Sequence, residues 1–141
     1  EKIYNLLDIK HQSLMDIAIQ KASGIFNVLL GKDYLLDIEP AFITRSNNDS
    51  LLFSKEMNGY KVFCEFFNHN RVSLINFKAL NINNKKSLNI KFTLKKDSNI
   101  ISEKHTDANG ITDTFEIESG SYIVDISKND SDIGNIKINI F

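Results

Sequence analysis

Leu14, Ile17, Ala18, Ala22, Ile25, Phe26 and Leu29 recur three or four residues apart, the period that lines one face of an α-helix. Ser13 precedes them as a hydroxyl N-cap with Asp16 three residues on, and Gly31 follows as a left-handed stop. The spacing predicts a helix over 14–30. Residues 2–11, with Ile3, Tyr4, Leu6 and Leu7, read as a preceding helical turn or two docked on the same core.

From Tyr34 the period shortens towards two. Pro40 marks 37–45 as an edge or the opening of a strand, and Ser46-Asn47-Asn48-Asp49 is a turn cluster. Strands are predicted over 51–55, 60–67 and 71–77, with Asn58-Gly59 as the hairpin signal and Asn68-His69-Asn70 as the second turn. Within 60–67, Val62, Cys64 and Phe66 share one face and Phe63, Glu65 and Phe67 the other. The polar run 81–86 divides the chain into a module over 1–83 and another over 84–141. Alternation then predicts five short strands, over 88–94, 100–106, 111–117, 122–126 and 136–141. The expected fold class is therefore α+β: an N-terminal helix on an antiparallel β-meander, followed by a β-sandwich-like module.

A chain of 141 residues with 42% hydrophobic content can build its own core without a metal or a disulfide. Residues 1–83 hold nine basic and nine acidic groups, and 84–141 hold eight and nine, so neither half has the basic excess of a nucleic-acid binder. No apolar run approaches the ~18 residues of a membrane span, so no membrane insertion is expected. The single cysteine, Cys64, fits a reducing compartment and favours a cytoplasmic location, whereas a leader upstream of Glu1 would make the protein secreted or surface-bound.

Candidate chemistry is sparse. Asp107, Asn109, Gly110, Asp113 and Glu118 have some of the oxygen ligands of a calcium loop, but Gly falls at the fourth position instead of the sixth. A hairpin tip at Asn109-Gly110 accounts for the same residues. Cys64 with His69 could be a nucleophile and base, yet a five-residue offset on a strand puts them on opposite faces. Glu116, Glu118 and Asp125 could form an acidic face, and an exposed strand face looks the same. The five lysines of 83–96 are read as guards of an edge strand in preference to a phosphate track. No cofactor, metal or catalytic residue is assigned.

The motif Thr106-Asp107-Ala108-Asn109-Gly110, then Phe115, then Gly120-Ser121-Tyr122 leading into a strand, resembles bacterial transthyretin-like and carboxypeptidase-regulatory-like β-sandwich modules over about 88–141. The gap from Gly110 to Phe115 is long for that pattern, and Ser119 replaces the customary Pro. The internal Lys–Asn amide of some such modules has Lys91, Glu116 and Asn139 as its counterparts here. The first half is similar, more loosely, to small uncharacterised prokaryotic proteins with a helix and an aromatic-rich meander. These resemblances imply an accessory of a prokaryotic conflict or secretion system.

Tyr60, Phe63, Phe66, Phe67 and Phe77 are more aromatics than one covered sheet face needs, so either the helix covers one face and the second module the other, or one face is a partner surface. On the second reading Tyr60, Phe63, Phe67 and Phe77 are the expected contact residues of a non-catalytic adaptor that binds another protein, with a strand edge as a route to homo-oligomers. The alternative is a secreted or cell-surface module that binds carbohydrate or acts as a spacer.

Overall fold

The computed structural model describes residues 13–22, 25–36 and 50–141. Ten strands run through them: β1 (Leu14–Ala22), β2 (Ile25–Leu30), β3 (Leu51–Met57), β4 (Tyr60–His69), β5 (Val72–Asn81), β6 (Lys91–Lys96), β7 (Asn99–His105), β8 (Phe115–Ile117), β9 (Gly120–Lys128) and β10 (Ser131–Ile140). The only helical segment among the described residues is a 3-10 turn at Lys32–Tyr34. The helix expected over 14–30 is instead two antiparallel strands, and the α+β class gives way to an almost wholly β fold. Met15, Ile17 and Ile19 explain the reversal: they alternate, are fully buried, and face the core from β1. Gly31 does have the positive φ expected of it, 99°, but it follows a strand. The helical turns expected over 2–11, the Pro40 strand and the turn at 46–49 lie outside the described residues.

The strands form two sheets. One has the order β2-β1-β10-β9-β6-β7 and the other β3-β4-β5-β8. All ladders are antiparallel except β1 with β10, which run parallel with Met15 opposite Ile136 and Ile19 opposite Ile140. Strands from either side of the 83/84 boundary share both sheets: β1 and β2 lie beside β10, and β8 lies beside β5. A single apolar cluster fills the space between the sheets, with Phe53, Phe66 and Phe77 from the four-stranded sheet meeting Phe92, Val124 and Ile136 from the six-stranded one. Phe77 stacks on Phe92 at 4.7 Å and meets Phe115 edge-on at 5.5 Å.

Among the described residues, four hairpins close on two residues: Asn58-Gly59, Asn70-Arg71, Asp97-Ser98 and Asn129-Asp130. Both central residues have positive φ in each, the type I′ geometry whose twist suits paired strands. Asn or Asp opens every one, because a short polar side chain tolerates the left-handed region.

The segment after β7 is a different kind of turn. Asp107 Oδ1 accepts from the amides of Asn109 and Ile111, and the Gly110 amide donates to the Asp107 carbonyl. A tight turn does form at Asn109-Gly110, but it is no hairpin tip, since β7 belongs to the six-stranded sheet and β8 to the other. The turn carries the chain from one sheet to the other, past β5. Gly110, at φ 74°, lies so close that an added Cβ would sit 2.7 Å from the Ala79 carbonyl oxygen.

Candidate functional site

Three of the four expected contact residues are interior. Phe77 is fully buried in the main cluster, Phe63 is 3% exposed and packs with Leu52 and Leu80, and Phe67 is 2% exposed. Tyr60 alone is partly open, beside the Asn58-Gly59 turn, with the Lys128 ammonium 6.0 Å from its ring centre. The aromatic surplus in the meander is spent on both faces of the four-stranded sheet, where Phe63, Phe66, Phe67 and Phe77 are all buried.

The catalytic candidates are dispersed as well. Cys64 is fully buried, and desolvation, reinforced by the neighbouring Glu65 carboxylate, pushes its thiol well above the ordinary range. Such a thiol is a poor nucleophile. His69 ends the same strand on the opposite face, about 16 Å along at ~3.3 Å per residue. Glu116 lies on β8, Glu118 reaches Lys96 at 3.1 Å, and Asp125 belongs to the other sheet, so no acidic face is assembled. Lys91, Glu116 and Asn139 are likewise on three strands of two sheets, with Asn139 accepting from Ser121 Oγ at 2.7 Å. No group of three or more His, Cys, Asp or Glu side chains is placed to hold a metal among the described residues.

The lysines of 83–96 guard no edge, because β6 lies between β9 and β7. Lys95 pairs with Asp125 at 2.5 Å, and hydrogen bonding to Glu118 raises the pKa of Lys96. On the outer face of the six-stranded sheet, a shallow depression of about 740 Å³ is bordered by Lys95, Asp125, Asn135, Lys137 and Asn139. Asn135 Nδ2 donates to Asp125 Oδ1 at 2.6 Å, so the depression's central carboxylate is bound by its own neighbours.

Exposed apolar side chains occur at several places, Ile82, Ile100 and Phe141 among them, and Ile25, Leu29 and Leu30 lie together on β2, the end strand of that sheet. Its sequence, Ile25-Phe26-Asn27-Val28-Leu29-Leu30, has no charged residue and no proline. Phe26 and Val28 face inward on the core, with the Phe26 ring 6.3 Å from that of Phe66. Ile25 and Leu29 are 56% and 54% exposed. Among the described strands β2 pairs only with β1.

The orientation of its backbone follows from the neighbouring ladder. The Ile19 carbonyl and the Lys21 amide both bond to Phe141, on the far side of β1 from β2. The peptide groups of Gln20 therefore point to β2, where they meet those of Asn27. By alternation the amides and carbonyls of Phe26 and Val28 point away from β1, to the side on which no described strand lies. An uncharged edge of this kind is a template for another strand.

Periodicity missed this edge because it had assigned the same residues to a helix; the signal available in the sequence was a six-residue run without charge, apolar but for Asn27. No protein-family model, no curated protein and no solved structure matches the chain.

Proposed function

We propose that the protein is a non-catalytic binding module that takes up an extended segment of a polypeptide as a further strand against β2. The observation that carries this reading is the side of β2 turned away from β1, along which no described strand lies and where the Phe26 and Val28 peptide groups sit between exposed Ile25 and Leu29 with no charge on β2 to repel a partner. Main-chain hydrogen bonds would supply affinity, and alternate apolar side chains the specificity. The incoming segment should itself be apolar on both faces, because it must extend both the core face beside Phe26 and the outer face beside Ile25.

The test is photo-crosslinking from a reactive residue at Asn27, compared with one at Glu103 on the opposite edge, in lysate of the source cell. The reading expects a discrete protein adduct from position 27 that disappears in the Val28→Pro variant, whose open-side amide is gone. Adducts of equal yield from both positions, or adducts that survive Val28→Pro with the fold intact by circular dichroism, would overturn it.

A further inference from the structure

Resting on that reading, we infer that the strand β2 accepts is the β2 of a second copy, paired antiparallel about a two-fold axis through Asn27. Directly opposed residues of an antiparallel pair lie on the same face, so a symmetric pairing must match inward with inward and outward with outward. Centred on Asn27, the pairing sets Phe26 against Val28 of the other copy, twice; Ile25 falls opposite Leu29, the bulge residue at which β2 leaves regular register with β1, so the regular ladder ends there. Asn27 meets only itself. The segment Ile25-Phe26-Asn27-Val28-Leu29 thus reads as apolar, apolar, amide, apolar, apolar in either direction. Each apolar residue finds an apolar partner, and the one amide finds an amide with which it can exchange hydrogen bonds.

The backbone agrees with this register. Phe26 and Val28 carry the outward-pointing peptide groups, so each Phe26–Val28 pair exchanges both of its hydrogen bonds, and Asn27 occupies the closely spaced position between them. Centring on Val28 keeps the same parity but sets Asn27 against Leu29 twice, leaving each amide against hydrocarbon. The absence of charge on β2 removes the usual objection to self-pairing, since any charge near the axis faces its own copy. The product joins two six-stranded sheets edge to edge and covers Ile25 and Leu29 on both copies.

The axis gives a direct chemical test. Cα atoms of a closely spaced antiparallel pair are ~4.5 Å apart, within the ~4.4–6.8 Å range of a disulfide. Asn27→Cys should therefore form a covalent dimer under mild oxidant, while Glu103→Cys does not and Cys64 stays protected by burial. In sedimentation equilibrium the unmodified protein should dimerise with concentration, and Asn27→Asp should weaken the dimer by at least about tenfold at low salt, less so at high salt.

Preferential crosslinking of Val28→Cys over Asn27→Cys would overturn the Asn27-centred register. A protein that stays monomeric to millimolar concentration, with no Asn27→Cys disulfide, would overturn the second copy as occupant. In that case a photo-adduct from Asn27 to a different protein leaves the edge-binding reading standing, and its absence removes both.

Discussion

The six-stranded sheet ends in two strands that solve the same problem in opposite ways. At one end β7 turns Ser102 and Lys104 inward, opposite Leu94 and Phe92 of its neighbour. The Lys104 ammonium bonds the Thr114 carbonyl at 3.0 Å and lies 5.1 Å from the centre of the Phe115 ring. A strand added beyond β7 would have to desolvate that cation, so the inward charge closes the edge although Ile100 and Ile101 are exposed. At the other end β2 turns Phe26 and Val28 inward and carries no charge at all. Both outer faces expose large apolar side chains, but β7 also carries Glu103 and His105 there. Charge, inward at Lys104 and outward at Glu103, separates the two edges.

The sharpest break of this contrast is Phe26→Ala. Removing a buried ring that packs on Phe66 should cost about 3–5 kcal/mol, read as a shifted urea midpoint, because β2 is held to the core by that side chain. An equal loss from a β7 substitution would contradict the asymmetry. Next in size is a proline pair within β2. Asn27→Pro removes an amide that bonds to Gln20 and should cost roughly 3 kcal/mol; Val28→Pro removes an open-side amide and should cost less than about 1 kcal/mol. Thermal melts of the two variants would decide it, and equal losses would show the backbone orientation of β2 to be misassigned.

Lys104→Ile sharpens the comparison from the other side. It should change monomer stability by less than about 1 kcal/mol, yet open β7 and produce assemblies larger than a dimer on light scattering, since both edges would then accept strands. Unchanged association would mean that Lys104 does not close its edge. The smallest effect belongs to Ile101→Ala, on a strand with no buried residue, which should stay within about 0.5 kcal/mol of the parent protein.

Much of the sheet structure was legible in the sequence, because it is written locally. Asn58-Gly59 fixed the β3–β4 register, and alternation in 60–67 assigned Val62, Cys64 and Phe66 to one face, as the core shows. The N-terminal segment was misread for a specific reason. Leu14, Ala18, Ala22, Ile25 and Leu29 satisfy a helical period, while Met15, Ile17 and Ile19 satisfy a strand period through the same residues. What favours the strand is β10, more than a hundred residues away, and no local window contains it. The β2 edge proposed as a binding surface was missed for a related reason: the aromatic excess drew the expected contact residues to the meander, where Phe63, Phe67 and Phe77 are all buried. Exposure at β2 depends on which strands lie at the ends of the sheet, and that order is a property of the whole topology.

The parallel ladder between β1 and β10 also imposes a schedule on synthesis. Met15 emerges from the ribosome 121 residues before Ile136, its partner across that ladder. At ~5–20 residues per second, β1 waits roughly 6 to 24 s for the strand that seats it. During that interval the β1–β2 pair has neither β10 beside it nor a finished core beneath Phe26. An apolar hairpin held in that state is a natural client for a nascent-chain chaperone, and ribosomes stalled just before β10 should carry one.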